Sequence, residues 1–194
     1  MAIVWVCPLS VWEYEAAGKR VEIPEQACPG CGRPLRPWSW YERRIRKGGE
    51  KSPIWIRRGR CPPCAVTHAL LPDFVHERRL DTVEVIGQAL QMAAQGVGTW
   101  RSSERLELPF STVRDWRVRC RRRALELLAK LARVGLSVGA QIGELPTRVL
   151  AAMVAVLRAV WGRCRERQPA LARLWRFWNT VCSGRALARN TSPV

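Results

Sequence analysis

The second half of the chain has apolar residues at helical spacing. Between residues 83 and 93 they recur every three or four positions, until Gly96 and Gly98 interrupt the pattern. The preceding Asp81-Thr82-Val83-Glu84 has the form of a capping box, which marks helix starts. Two more amphipathic stretches lie between residues 144 and 189 and are separated by Gln168-Pro169. The pattern predicts helical zones at about 80–133 and 144–189.

The first 76 residues carry shorter apolar runs separated by turn residues. Residues 3–6 and 19–23 predict two short strands. Residues 38–45 and 54–60 are rich in aromatic and branched side chains and flank Lys47-Gly48-Gly49-Glu50. The latter two segments predict a β-hairpin.

Two pairs of cysteines lie on either side of this hairpin. Cys28-Pro29-Gly30-Cys31 and Cys61-Pro62-Pro63-Cys64 each separate two thiols by a pair of turn residues. Two thiolates at this spacing converge on one ion only where the backbone turns sharply, and Pro and Gly supply that turn. The pattern predicts a zinc ribbon in which Cys28, Cys31, Cys61 and Cys64 hold one structural Zn²⁺. It also indicates a reducing compartment, with the cysteines used for metal and not for disulfides.

Other assignments of these residues stay open. Four thiolates also hold iron in small redox carriers, although a basic hairpin joined to a basic helical region favours zinc. His68 or His76 could replace a thiolate, but four cysteines already complete the site. The cysteines without paired spacing are interpreted as buried thiols: Cys7, Cys120, Cys164 and Cys182.

The predicted fold class is therefore mostly α with a small β zinc ribbon. Three segments follow from the pattern: N-terminal strands and the ribbon at 1–76, a helix-turn-helix at 77–133, and C-terminal amphipathic helices with a basic tail at 134–194. No apolar stretch is long enough for a membrane span, and residues 145–161 contain Arg148 and Arg158. The start of the chain carries no basic region typical of a secretory signal, so we expect a cytoplasmic, nucleoid-associated protein.

The charge of the chain indicates an acidic partner. The formal net charge is +17, and the 33 basic residues are 29 Arg and 4 Lys. Arginine presents a planar set of donors that suits phosphate and the guanine edge, which favours duplex DNA, although GC-rich coding explains part of the excess. The hairpin is basic and rich in tryptophan, so we expect phosphate contacts, or a solvated edge, from Arg43, Arg44, Arg57 and Arg58.

Residues 98–122 predict a helix-turn-helix. A short helix over 99–106, a turn at 107–109 and a helix with Val113, Trp116 and Cys120 on its inner face have the sizes that this motif requires. Glu107 stands where such turns usually carry glycine. The residues expected to face outwards and contact DNA from the second helix are Phe110, Ser111, Arg114, Asp115, Arg117, Arg121 and Arg122.

The two C-terminal helices have two possible roles. One carries Leu150, Met153 and Leu157 on one face, and the other carries Leu174 and Trp178. Their apolar faces either complete the core above the helix-turn-helix or form a homodimer interface suited to a palindromic site. The sequence alone does not separate these roles.

Five segments together carry a resemblance to a known family. They are Cys28-Pro29-Gly30-Cys31-Gly32, residues 38–41, residues 60–64, residues 67–72 and residues 109–116. The chain resembles, from about residue 20 to Pro193, an uncharacterised bacterial family with a domain of unknown function that accompanies transposases and integrases of mobile elements. The resemblance implies DNA binding linked to a mobile element, with a transposase or integrase as a further partner and no established activity.

These observations lead to one functional expectation with two alternatives. We expect a non-enzymatic, zinc-stabilised DNA-binding protein that regulates or assists a transposon or other mobile element. A transposase-derived protein or fragment is the first alternative, but the few acidic residues show no pattern that would hold two metal ions. A basic RNA-binding zinc-ribbon protein is the second, in which the hairpin binds RNA and the helices serve as scaffold.

Overall fold

A computed structural model describes residues 2–47 and 49–188 of the chain. Within these residues the chain forms a four-stranded sheet and seven α-helices. The strands are β1 (Ala2–Trp5), β2 (Arg36–Lys47), β3 (Glu50–Cys61) and β4 (Val66–Pro72). The helices are α1 (Val11–Ala17), α2 (Val83–Ala94), α3 (Thr99–Leu106), α4 (Phe110–Arg122), α5 (Ala124–Val138), α6 (Val149–Arg167) and α7 (Leu174–Val181).

The sheet is larger than the predicted ribbon. Its strand order is β1-β4-β3-β2, with β1 parallel to β4 and the other neighbours antiparallel. The β-hairpin prediction is confirmed as β2 and β3, and the first predicted strand matches β1. The strand predicted over 19–23 is wrong, because residues 18–20 form a 3₁₀ turn instead. The chain is thus a mixed α/β protein and not a helical protein with a small ribbon.

The helix predictions from residue 83 onwards are confirmed, with two differences in detail. The N-cap of α2 is Thr82 and not Asp81, since the Thr82 side chain accepts from the Val85 N–H. α5 continues to Val138, beyond the predicted zone. Helix α1 was not predicted from the sequence, although it has its own capping box formed by Ser10 and Glu13.

Two hydrophobic clusters form the core. One packs α1 against the sheet and includes Tyr14, Ile54, Ile56 and Phe74. The other gathers the helices from α2 to α7 and is centred on large side chains such as Trp116 and Trp178. Trp175 packs against both clusters, so α7 lies where the sheet and the helices meet.

The apolar faces of the last two helices lie inside the chain. Leu150, Met153 and Leu157 of α6 and Trp178 of α7 are buried in the helical cluster. These faces complete the core above α2, α4 and α5. The distal part of the predicted basic tail, residues 189–194, lies outside the described residues. Within the described part of the chain, none of the helices has the length and apolar character that a membrane span requires.

Candidate metal centre and basic surfaces

Each cysteine pair lies in a tight backbone turn. The Gly32 N–H donates to the Cys28 carbonyl oxygen at 2.8 Å, and Gly32 adopts the left-handed conformation that this turn requires, with φ of 71°. The second pair begins at Cys61, the last residue of β3, and is followed by Ala65 with φ of 55°. β2 begins soon after Cys31, and its first residue Arg36 lies opposite Arg60 of β3, so the pairing of β2 with β3 brings the two cysteine pairs together.

The four thiols form one cluster. The sulfur atoms of Cys28, Cys31, Cys61 and Cys64 all lie within 4.8 Å of one another. The Cys28 and Cys64 sulfurs are 4.0 Å apart, and the Cys31 and Cys61 sulfurs are 3.5 Å apart. A tetrahedral zinc with Zn–S bonds of about 2.3 Å would separate its sulfurs by about 3.8 Å. The cluster therefore fits one structural zinc ion, as the cysteine spacing predicted.

The charges of the thiols also favour a bound cation. A hydrogen bond from the Gly30 N–H, with a smaller contribution from the Cys31 N–H, lowers the pKa of Cys28 to about 6. Hydrogen bonding with the Cys31 and Cys61 thiols raises the pKa of Cys64 to about 12. Four thiolates at this separation repel one another, so a divalent cation is what stabilises all four in the deprotonated form.

A histidine lies next to this cluster without belonging to it. The Nε2 atom of His68, on β4, is 3.7 Å from the Cys28 sulfur, and the side chain is buried. In the tautomer with a proton on Nε2, His68 donates to the Cys28 thiolate. This hydrogen bond stabilises the thiolate and orients it for metal binding. His76 lies elsewhere, where its Nε2 accepts from the Leu187 N–H at 3.2 Å. Neither histidine replaces a thiolate in this cluster.

The structure corrects the surface assignment of Arg43 on β2. Its Nη2 atom donates to the carbonyl oxygens of His76 and Arg79, each at 2.6 Å. Burial lowers the pKa of the guanidinium below its ordinary value. Arg43 holds the segment after β4 against the hairpin, and its donors are directed at the chain's own backbone instead of an outside phosphate.

The other hairpin arginines lie on two different faces. The β2–β3 register places Trp40 opposite Arg57 and Arg44 opposite Pro53, so Arg44 and Arg57 share a face. The Arg57 guanidinium lies 5.0 Å from the Trp40 ring centroid. Arg58 lies on the opposite face, where it donates to the Thr67 hydroxyl at 2.6 Å.

α2, α3 and α4 pack against one another in a three-helix arrangement. The inner residues Val113, Trp116 and Cys120 of α4 are buried, as predicted, and Ser103 of α3 is buried as well. Glu107 follows α3 and has a left-handed backbone conformation with φ of 53°. This turn therefore uses the conformation that usually favours glycine, although it carries a glutamate. Pro109 caps α4 and ends the turn.

α4 presents a basic face to solvent. Phe110 is 40% exposed, and the Arg114 guanidinium lies 6.0 Å from its ring centroid. Ser111, Arg114, Arg121 and Arg122 are exposed. Within residues 2–47 and 49–188, no hydrogen bond or ion pair engages the guanidinium groups of these three arginines. The structure thus brings five of the seven predicted α4 residues onto open surface.

The two remaining α4 residues are engaged within the chain. The prediction that Arg117 faces outwards is wrong, since it is 9% exposed and donates to the Val97 carbonyl oxygen at 2.6 Å and the Thr99 hydroxyl at 3.0 Å. Asp115 accepts from Arg119 Nε at 2.7 Å and forms an ion pair with Arg79 at 3.5 Å. Arg117 fixes the loop between α2 and α3, and Asp115 fixes the segment before α2.

Trp100 on α3 is an exposed aromatic residue that was not predicted from the sequence. Its ring is 64% exposed, lies 6.1 Å from the Phe110 ring centroid, and donates from Nε1 to Glu104 at 2.8 Å. A tryptophan in the first turn of a short and otherwise polar helix was the available signal, because such a residue has few apolar neighbours on its own helix. Trp100 and Phe110 form an aromatic edge beside Arg114.

Comparison with known families identifies one segment of this chain. A family described as a domain of unknown function (DUF6431) matches residues 28–116, from the first cysteine of the metal centre to Trp116 on α4. No curated protein sequence and no solved structure matches the chain. The matched segment holds the four cysteines, the hairpin, β4, α2 and α3, and it is shorter than the resemblance from about residue 20 to Pro193.

Proposed function

We propose that this protein is a zinc-stabilised DNA-binding protein, and that α3 and α4 form a helix-turn-helix that reads duplex DNA. In this proposal α4 is the recognition helix and enters the major groove with its N-terminal residues. Phe110, Ser111 and Arg114 contact base edges, while Arg121 and Arg122 contact the phosphate backbone. Arg117 and Asp115 have no part in DNA contact, because they hold the fold.

The exposed face of α4 is the observation that carries the proposal. Its inner residues are buried against α2 and α3, yet Arg114, Arg121 and Arg122 extend into solvent without an ion pair among the described residues. Leaving three like charges along one helix destabilises the free protein by mutual repulsion. Phosphates of a DNA backbone would relieve that repulsion.

The metal centre supports this function by holding the sheet in shape. When bound, zinc would link the turn at Cys28 to the end of β3 and the turn that precedes β4. Arg43 and Arg46 then connect the hairpin to the segment before α2, since Arg46 forms an ion pair with Asp81 at 3.6 Å. The centre is proposed to be structural, and no catalytic role is assigned to it.

The biological setting in this proposal is a mobile element. Its support is the resemblance of the cysteine and helix segments to a family that accompanies transposases and integrases. We propose a regulator or an assembly factor, with a transposase or integrase as a protein partner, and not an enzyme. Three carboxylates near the helices form ion pairs with arginines of the chain: Asp73, Glu84 and Asp115. This pairing supports a role without catalysis, because a transposase needs carboxylates that are free to hold metal ions.

Selection from a random duplex library tests the proposal directly. The zinc-loaded full chain should enrich a short motif at near-physiological salt, because base contacts add to the phosphate contacts. The Glu104→Gln variant is a control beside the proposed surface that keeps all arginines. Binding without any enriched motif, lost steeply as salt rises, would contradict sequence reading by α4.

RNA binding by the hairpin is a second candidate function. The Arg57 and Arg60 guanidinium groups lie 5.0 Å and 4.5 Å from the ring centroids of Trp40 and Trp38. Aromatic rings beside cations are typical of surfaces that stack on unpaired bases. In a competition assay, structured RNA should displace duplex DNA if the hairpin dominates, and the Trp40→Ala variant should then lose RNA binding while Arg114→Ala keeps it.

A further inference from the structure

A basic pocket lies between the segment before α2, the helix α4 and the segment after α7. Its volume of about 430 Å³ falls within the range of about 300–1,000 Å³ that is usual for small-molecule sites. Of the residues that line it, Glu77 is acidic and four are arginines: Arg78, Arg79, Arg119 and Arg185. None of these four arginines is among the residues proposed to contact DNA. We call this site the arginine pocket.

On the α4 side of the arginine pocket, one carboxylate orients two arginines. Asp115 accepts from Arg119 Nε at 2.7 Å and forms an ion pair with Arg79 Nη1 at 3.5 Å. Because Asp115 contacts Arg119 through Nε, both Nη groups of Arg119 keep their donors without a partner in the part of the chain that the structure describes. One negative charge shared by two guanidinium groups leaves an excess positive charge at this side of the pocket.

Glu77 repeats this arrangement with the other two arginines. Its carboxylate lies 3.2 Å from Arg185 Nε and 3.9 Å from Arg78 Nε, and both arginine side chains are exposed. The four arginines of the pocket are therefore paired with only two carboxylates, and the net charge of these six side chains is +2. That charge complements a phosphate monoester, which carries about −1.5 to −2 charges near neutral pH.

The backbone of Arg78 has a conformation that side chains rarely adopt. Its φ is 58°, in the left-handed region that glycine favours. The side chain is 90% exposed, so packing against the protein does not offset this strain. Strained residues of this kind are concentrated at functional sites, where the conformation aims a side chain at a ligand. The fold alone gives no reason for an arginine at this position.

The floor of the arginine pocket is already formed in the free protein. The Leu187 N–H donates to His76 Nε2 at 3.2 Å, and Arg79 Nη2 donates to the Leu187 carbonyl oxygen at 2.8 Å. Arg43 adds two hydrogen bonds, to the carbonyl oxygens of His76 and Arg79. These bonds hold the segment before α2 against the segment after α7. A ligand that enters the pocket therefore orders little additional backbone, which favours binding.

From these observations we infer that the arginine pocket binds a phosphate group. The planar donor sets of arginines bind phosphate oxygens in pairs, and the volume of the pocket leaves room for the sugar that carries the phosphate. The phosphate belongs either to a free phosphorylated ligand or to the backbone of a nucleic acid that passes α4. The inference does not rest on base recognition by α4, because it concerns a different set of side chains.

Isothermal titration calorimetry with inorganic phosphate tests the inference on the zinc-loaded full chain. At constant ionic strength the wild type should bind phosphate, and Arg78→Gly should weaken that binding about tenfold. The same variant should not lower Tm, since glycine adopts this φ without strain. Arg133→Ala is the matched control, because it removes one exposed positive charge on α5. No binding by the wild type, or equal weakening by the two variants, would overturn the inference.

Arg185→Lys separates recognition by guanidinium groups from a general effect of charge. The variant keeps the positive charge beside Glu77 but loses the planar set of donors, so its affinity for inorganic phosphate should fall. An unchanged affinity would contradict the proposed recognition, because the pocket would then attract anions through its net charge alone.

Two further probes identify the source of the phosphate. If the pocket binds a free ligand, deoxyadenosine 5′-monophosphate should bind more tightly than inorganic phosphate, and Arg78→Gly should leave DNA affinity unchanged. If it binds a backbone phosphate, Arg78→Gly should weaken binding to a duplex without terminal phosphates and lower the dependence of log affinity on log salt by about one unit. Failure of both probes would identify the bound phosphate as an adventitious ion only.

Arg114→Ala distinguishes failure of this inference from failure of the proposed DNA recognition. Arg114 does not line the arginine pocket, so its loss should leave the affinity for inorganic phosphate unchanged. A protein that binds phosphate but selects no DNA motif would keep the pocket and contradict base reading by α4. A protein that selects a motif but binds no phosphate would do the reverse.

Discussion

The guanidinium of Arg176 on α7 lies 3.3 Å from the carboxylate of Asp73 after β4, and both side chains are buried. The same guanidinium donates to Glu84 of α2 at 2.9 Å and to the carbonyl oxygens of Cys7 and Leu9. One side chain thus contacts three separate segments: the loop after β1, the end of β4 and the start of α2. Arg176 thus links the sheet to the helices through buried polar contacts.

Replacing Arg176 by Ala should strongly destabilise the protein. The change leaves Asp73 buried without its cation, and loss of one partner of a buried ion pair costs about 3 kcal/mol or more of the free energy of unfolding. Urea denaturation followed by tryptophan fluorescence measures the effect. Arg173→Ala is the control, because Arg173 is exposed and lies 3.9 Å from Glu84. Equal effects of the two changes would contradict a structural role specific to Arg176.

Two buried groups should give opposite dependences of stability on pH. Burial raises the pKa of Asp73 to about 6, so its contribution is present at low pH and is lost as the pH rises towards 6. Burial lowers the pKa of His76 to about 4, so its contribution is present above its ordinary pKa and is lost as the pH falls towards 4. In the wild type these two effects largely cancel between pH 4 and pH 6.5.

Single substitutions should separate the two effects. Relative to wild type at the same pH, Asp73→Asn should gain about 3 kcal/mol between pH 4 and pH 7, and His76→Gln should lose a similar amount over the same range. Differences from wild type are the quantity to measure, because protonation of the metal-centre thiols acts on every variant. If this free-energy difference changed with pH in the same direction for both variants, the two groups would not be titrating as buried side chains.

Some parts of the fold and site could be read from local sequence, and others depended on distant contacts. The four cysteines were predictable because metal geometry requires their spacing, and Val113, Trp116 and Cys120 because helical periodicity places them together. β4 was not predicted, although it pairs with the adjacent β3 as well as with β1, whose residues are more than 60 positions away in the chain. A short run such as Ala69-Leu70-Leu71 carries no period that would distinguish a strand.

The arginines were the least predictable side chains. Arg117 and Arg43 looked like surface cations, but each meets backbone carbonyl oxygens of another segment, and only the folded chain supplies those partners. A long flexible side chain can bury its stem and turn its donors inwards. Glu84 also has a partner that local sequence does not indicate. It accepts from Arg176, 92 positions away, while Thr82 caps α2.

Replacing Cys61 and Cys64 by Ser should remove the metal from the protein. The two serines leave only two thiolates, and metal binding supplies folding free energy in centres of this kind. The zinc content of the purified protein should fall from about one ion per chain in the wild type to none in the variant. Chelators should destabilise the wild type but not the variant. Cys120→Ser is the control, since Cys120 is buried in the helical cluster away from the centre. Unchanged zinc in the double variant would rule out the four-cysteine site.

Replacing Arg117 by Ala should reduce stability instead of acting on DNA directly. The change leaves the Val97 carbonyl oxygen and the Thr99 hydroxyl without their charged donor, at a cost of about 2 kcal/mol. Arg121→Ala, one helical turn further along α4 and exposed, should leave the unfolding free energy unchanged and weaken binding to DNA. Thermal denaturation and DNA affinity measured on both variants distinguish the roles. A stable Arg117→Ala protein with weaker DNA binding would return Arg117 to the interface.

Arg114 and Arg122 should affect DNA binding in different ways. Arg114 lies in the N-terminal part of α4, which a recognition helix inserts into the major groove, so Arg114→Ala should relax preference at one base pair by about 1–3 kcal/mol. Arg122 ends the helix, and its loss should weaken all sequences alike and lower the dependence of log affinity on log salt by about one unit. Affinities for the selected site and its single-base variants, measured at several salt concentrations, provide both quantities. If the two variants lose affinity equally for every sequence, α4 binds the backbone alone and base recognition lies elsewhere.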